Sequence, residues 1–183
     1  MPFPLKSCLP ALLLAILPAG ECFAKTYQAI KGESTLSYHM AHPMHKIDGV
    51  SRDFLCTVDL SPDTVSSVIK VSAAISSFDT KNSSRDSHAM EVVQARKYPR
   101  VEFASESVKP EKDGYAVAGK LTFHGRTKPI SFHVTPHFQA GKIEIVGGFV
   151  VKLSEFEVDR PSLLFVPVKD ELGISFDLFA PAD

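Results

Sequence analysis

The chain has 183 residues and sets 20 basic against 21 acidic side chains, a formal charge of −1. That balance leaves no basic excess for nucleic acid or for acidic membrane surfaces. Two of its three cysteines, Cys8 and Cys22, fall in the first 24 residues, so the rest of the chain holds one thiol, Cys56, and no internal disulfide.

Residues 1–24 read as a cleaved signal peptide. Lys6 and the amino terminus supply a positive start, Leu9 to Leu17 an apolar run broken only by Pro10, and Cys22-Phe23-Ala24 a small-residue cleavage site. The run is far short of the roughly 20 residues that cross a bilayer, so no transmembrane anchor is expected. What remains, 25–183, is expected to be one exported domain, periplasmic or secreted, long enough to bury its own core. Within it Cys56 is expected to serve as a small buried apolar side chain.

Period two then dominates the chain. Leu36, Tyr38 and Met40 alternate with polar residues, as do Phe54, Cys56, Val58 and Leu60. Ile69, Val71, Ala73 and Ile75 share a third face, Val101 and Phe103 a fourth, and Tyr115 to Phe123 a fifth. Ile130 to Phe138, Ile143 to Phe149 and Leu172 to Leu178 complete about eight half-apolar strands. Asp113-Gly114, His124-Gly125 and Ala140-Gly141 are hairpin turns, and Ser61-Pro62-Asp63 is a turn with proline at its favoured position. Short connections between neighbours predict an all-β, antiparallel up-and-down barrel, which buries the apolar face and removes sheet edges. One helix is expected from Ser84 to about Ala95, capped by Ser83 or Ser84 and ended by Pro99.

The inward positions form an aromatic and aliphatic set: Phe54, Val71, Ile75, Phe103, Tyr115, Val117, Leu121 and Phe123 from the first half. Ile130, Phe132, Val134, Ile145, Phe149, Ile174 and Phe176 follow from the second, with Met90 and Val93 contributed by the helix. A barrel of eight strands either fills with such side chains or holds one ligand. Gly119 and Gly147 fall on the inward parity, where a missing side chain leaves room for something to approach. Room among phenylalanines suits a long hydrocarbon. At about 0.8 kcal/mol per buried CH₂, three or four isoprene units offset a moderate association cost and still reach micromolar affinity.

His39, His42 and His45 form H-x-x-H-x-x-H around Pro43-Met44, the basis of an alternative reading as a metal-binding protein. On an unbroken strand that spacing puts successive rings on opposite faces, so the alternative needs Pro43 to break the strand. Arg85, Asp86 and His88 stand at the start of the helix and are candidates for the cavity mouth or a ligand head group. Asp86 and His88 have no identifiable serine or cysteine partner, so no catalytic residues are assigned.

Three islands carry a family resemblance: Arg85-Asp86-x-His88, then Tyr98-Pro99-x-Val101-x-Phe103-x-Ser105, then Gly119-x-Leu121-Thr122-Phe123-His124-Gly125-x-Thr127-Lys128-Pro129. In this order and behind a signal sequence they resemble the YceI-like family of exported lipid-binding proteins. The resemblance implies a lipocalin-like barrel in the periplasm that holds an isoprenoid lipid. Val92 and Val93 stand near the place where the family carries paired phenylalanines.

The sequence therefore reads as a non-enzymatic lipid-binding barrel. Its expected partner is a polyisoprenoid-type or other long-chain amphiphilic lipid, for transport or storage, with no cofactor and no nucleic acid. A homodimer is compatible with it. The alternatives are the metal site at His39, His42 and His45, and a filled barrel serving as an interaction module.

Overall fold

The computed structural model describes residues 25–42, 45–61, 67–139, 141–163 and 166–182, with main chain only for His45 and Leu163. The expected signal segment, the Pro62-Asp63 turn and Ala140 of the third hairpin turn lie outside the described residues.

Ten strands make one antiparallel sheet. They are β1 (Lys25–Gln28), β2 (Thr35–His42), β3 (His45–Ser51), β4 (Phe54–Leu60), β5 (Val68–Ala74), β6 (Arg100–Glu111), β7 (Gly114–Phe123), β8 (Arg126–Gln139), β9 (Lys142–Lys152) and β12 (Glu171–Pro181). Two short strands, β10 (Ser162–Leu163) and β11 (Val166–Pro167), form a separate ladder. From β4 to β9 each strand pairs with its successor, the up-and-down order expected from the short turns. β12 then pairs with β9, the β2–β3 hairpin lies beyond β12, and β1 lies outside β4. The sheet thus has ten strands where about eight are expected.

The sheet curls into a barrel whose seam is closed by few bonds. Ile30 N–H donates to the Phe179 carbonyl at 2.7 Å, joining the chain after β1 to β12. Val50 of β3 and Asp79 exchange main-chain bonds, each 3.0 Å, which ties the other edge to the segment after β5.

Register brings the apolar parities to one side. Val134, Gly147, Phe176 and Leu36 stand opposite one another across four strands, and Pro136, Ile145 and Leu178 form the next row. Between Ser105 and Ser107 the β6–β7 register shifts, a bulge that passes the inward role from Phe103 and Ser105 to Val108.

The helix α1 runs Ser83–Val92. Its cap is Asn82, whose side chain accepts the Arg85 N–H at 3.0 Å, so the expected serine caps lie inside the helix. It also stops well before Pro99. Gln94 turns left-handed at φ 48°, and Tyr98 N–H closes back on the Gln94 carbonyl at 2.9 Å.

The end of the barrel near α1 is plugged. His124 and Gly125 both take positive φ, 49° and 70°, the pattern of a tight hairpin turn between β7 and β8. A Cβ on Gly125 would stand 2.4 Å from the Tyr98 ring, so this position requires glycine twice over. A 3₁₀ turn, Leu153–Phe156, follows β9 and drives Phe156, wholly buried, against Phe123 at 5.6 Å between ring centres. His124 Nδ1 donates to the Phe156 carbonyl at 2.9 Å. Leu153, Phe156, Val158 and Val168 join the strand residues Phe103, Leu121, Phe123, Val151 and Leu172 in the main core.

Candidate functional site

Above that core the barrel keeps a cavity of about 570 Å³. That volume falls within the roughly 300–1,000 Å³ of small-molecule sites. β4 and β5 give it Phe54, Cys56, Val58, Ile69 and Val71, and Ile75 closes the row. β6 and β7 add Val101, Phe103, Val108, Tyr115, Leu121 and Phe123. Phe132 and Val134 come from β8, Ile145 and Phe149 from β9, and Ile174 and Phe176 from β12. Met90 and Val93 cover it from α1. Phe132 is the hub of the aromatic wall, with Phe103, Phe149 and Phe176 at 5.3, 5.1 and 5.7 Å.

Two expected wall residues are placed elsewhere. Val117 has no exposed surface and sits within the packed core, and Ile130 packs against that core without reaching the cavity. Both have the right parity, but the side chains around them already fill the space.

The inward glycines do not make the room either. A Cβ on Gly147 would lie 2.4 Å from Phe176 Cζ, and one on Gly119 would lie 2.3 Å from the Ala104 carbonyl oxygen and 2.8 Å from Phe103 Cζ. What approaches these positions is the protein's own phenylalanine rings and the bulged β6 main chain. A cavity of about 570 Å³ remains among the described residues all the same, so the filled-barrel alternative does not describe it.

Polar groups on the wall are few. Tyr38 leans over Gly49 and meets Phe78 at 5.6 Å. Burial, aided by the negative charge of Asp86, pushes its hydroxyl up to about 12, which keeps it a donor. Asp86 also lines the cavity, but its Oδ1 already accepts from Thr80 N–H at 3.1 Å and Thr80 Oγ1 at 2.6 Å. Arg85 donates from Nε to Thr80 Oγ1 at 2.8 Å and from Nη2 to the Thr80 carbonyl at 2.6 Å. His88 faces solvent, 3.9 Å from Glu91. Of the three mouth candidates, then, two converge on Thr80 to pin α1, and Asp86 alone reaches the cavity.

β2 runs unbroken to His42, and its histidines separate accordingly. His39 lies on the outer face, with Nδ1 2.7 Å from Asp48 Oδ1 and Nε2 2.7 Å from Ser175 Oγ. His42 is buried on the other side, where Nε2 donates to the Val166 carbonyl at 3.1 Å. Among the described residues no three His, Cys, Asp or Glu side chains are grouped to hold a metal ion. The side chain of His45 lies outside them. The Ser175–His39–Asp48 line is a cross-strand tie: β12 pairs on both sides at Ser175, so its amides serve the ladder and offer no oxyanion hole.

Several lining residues had a readable signal. Tyr38 and Met40 alternate correctly on β2, and Cys56 and Val58 continue the Phe54 face. Cys56 is 2 % exposed, and burial pushes its thiol up to about 11. Val108 was hidden by the bulge, and Phe78 lies in an irregular segment where periodicity says nothing.

Comparison with known proteins agrees with this architecture. Residues 27–180 match the family described as YceI-like domain. A UPF0312 protein of Pseudomonas putida strain F1 is 33% identical over 142 residues, covering 72% of this chain and 73% of the relative. One from Pseudomonas savastanoi is 32% identical over 140 residues, with coverage of 72% and 73%. Burkholderia cenocepacia BcnA shares the fold at a TM-score of 0.75 and 22% identity, over 82% of this chain and 98% of that one. A polyisoprenoid binding domain from Saccharophagus degradans does so at 0.65 and 12%, over 86% and 98%. No helix among the described residues is long and apolar enough to cross a membrane. With most of its length matched and its barrel shared, the chain belongs to the YceI-like family.

Proposed function

We propose that the protein binds a polyisoprenoid-type lipid, or another long-chain amphiphile, in the barrel cavity, as an exported carrier or store. The observation that carries the reading is a cavity of about 570 Å³ walled by Phe103, Phe123, Phe132, Phe149 and Phe176, with Tyr38 and Asp86 among its few polar residues. Burial of hydrocarbon is the driving force, so affinity scales with tail length and requires neither a cofactor nor a reacting group. A neighbour of the same fold is described as a polyisoprenoid binding domain, which supports this ligand class over a compact aromatic one. The same reading makes the protein a binder and no enzyme, released from its signal segment outside the cytoplasm.

Native mass spectrometry of protein purified without detergent from its own host is the direct test. An adduct whose released mass rises in isoprene steps is expected. A bare mass, together with failure to take up an added isoprenoid alcohol, would overturn the reading. Phe132→Asp puts a carboxylate at the hub of the ring cluster. Provided circular dichroism shows an intact barrel, affinity is expected to fall by about a hundredfold or more. Full affinity in a folded variant would place the ligand elsewhere.

A further inference from the structure

We propose that the polar head of the ligand sits between Tyr38 and Asp86, at the α1 end of the cavity, and that this head is an uncharged hydroxyl, as in an isoprenoid alcohol or phenol; this rests on the lipid-binding reading above. Two observations carry the assignment: the charge on the lining and the way Tyr38 is held. Among the described residues no lysine, arginine or histidine lines the cavity. The acidic residues on the lining are Asp86 and Glu102, and Glu102 already accepts from Ser72 Oγ at 3.1 Å.

Asp86 is only half engaged. Its Oδ1 takes both bonds from Thr80, while Oδ2 has no hydrogen-bond partner among the described residues. Arg85 spends Nε and Nη2 on Thr80 and does not line the cavity. A phosphate or carboxylate head would therefore meet a carboxylate with no counter-ion on the lining, and apolar surroundings enlarge that penalty.

Tyr38 supplies the complementary group. It follows Leu36 on the inward row of β2, and register sets it opposite Gly49 of β3. A Cβ on Gly49 would stand 2.2 Å from Tyr38 Cε1 and 2.8 Å from the hydroxyl oxygen, so the bare glycine is the seat of the ring. Phe78 packs against that ring at 5.6 Å between centres. The hydroxyl is thus fixed in place, keeps its proton through burial, feels the charge of Asp86, and makes no hydrogen bond among the described residues. A buried O–H donor beside a free carboxylate oxygen asks for a group that accepts one bond and donates another. A hydroxyl does both, accepting from Tyr38 and donating to Asp86 Oδ2. Tyr115 also lines the cavity, but it stands opposite Pro110 and Val134, far along β7 from Thr122, the partner of Glu102, so no lining carboxylate accompanies it. Gln28 is exposed, and a head there would gain little over water. With the head at Tyr38 and Asp86, the tail lies against Phe132, Phe149 and Phe176.

The test varies the head at constant tail. Hexahydrofarnesol, its phosphate monoester and farnesane share one branched skeleton, and their affinities are read by displacement of a fluorescent lipid. The wild type is expected to bind the alcohol about tenfold or more tightly than the phosphate; equal or tighter binding of the phosphate would overturn the proposal. Tyr38→Phe keeps the ring over Gly49 and removes one oxygen. It is expected to weaken the alcohol about tenfold and to leave farnesane within about twofold. The same change for both ligands, or no change for either, would mean that Tyr38 only shapes the wall, and the proposal falls. Asp86→Asn retains an oxygen for the Thr80 bonds and is expected to narrow the gap between phosphate and alcohol; an unchanged gap would also count against the assignment. Failure of the wild type to bind any isoprenoid would instead overturn the lipid-binding reading.

Discussion

The two ends of this barrel carry the same inward alternation and treat it in opposite ways. Near α1 the inward phenylalanines Phe54, Phe103 and Phe123 are all buried, and Leu153, Phe156, Val158 and Val168 pack with Phe103 and Phe123 over the opening. At the far end Leu60 and Phe138 continue equivalent rows and stand in solvent. Alternation therefore tells which way a side chain points but not what meets it. The difference lies in Leu153, Phe156, Val158 and Val168, which belong to no long strand and turn one half of the barrel into core and leave the other as cavity.

Removing the plug breaks the contrast most sharply. Phe156→Ala deletes a fully buried ring from the centre of the closed end, and a loss of about 3–5 kcal/mol in unfolding free energy is expected. Urea denaturation measures it directly. A loss under about 1 kcal/mol would mean that the closed end tolerates a void and is not the packed anchor described.

A smaller effect should appear at alkaline pH on the cavity wall. Burial raises the Cys56 thiol from an ordinary value of 9.0 to about 11. The folded state thus binds the proton more tightly than the unfolded state does. This stabilisation is fully present below about pH 9 and is lost as pH rises through 11, a difference on the order of 2 kcal/mol. In Cys56→Ala that component of the slope disappears, while every other titrating group is shared by the two proteins. Urea midpoints at pH 8 and pH 10.5 for wild type and variant are expected to converge as pH rises. Parallel midpoints would show that the thiol is not desolvated.

Much of the wall was legible because antiparallel pairing keeps a strict period of two. Fifteen of the seventeen expected wall residues line the cavity, and the two that do not, Val117 and Ile130, share the parity of those that do. What parity leaves out is the third dimension. Gly119 and Gly147 looked like space but are occupied by neighbouring rings and main chain, a contact between strands that no single strand announces. His124 follows Phe123 on the polar parity of β7, whereas its positive φ turns it inward, 8 % exposed and bonded to the plug. Asn82 outcompetes the serines that follow it because the first turn begins one residue earlier. The plug itself had a faint signal: Leu153, Phe156 and Val158 are spaced three and two apart, a period that fits neither strand nor long helix.

The smallest expected change in stability tests the open end. Phe138→Ser removes a large ring that is 77 % exposed, so unfolding free energy is expected to stay within about 0.5 kcal/mol of the wild type. A buried phenylalanine of the same parity, such as Phe123, would lose several times that on truncation, about 3–5 kcal/mol. The ratio between the two sites is the useful quantity, because it compares one residue type on one face in the same protein and cancels errors common to both. If Phe138→Ser costs as much as truncation at Phe123, something covers that ring in solution. A cost near zero shows that the ring contributes nothing to the fold that carries it.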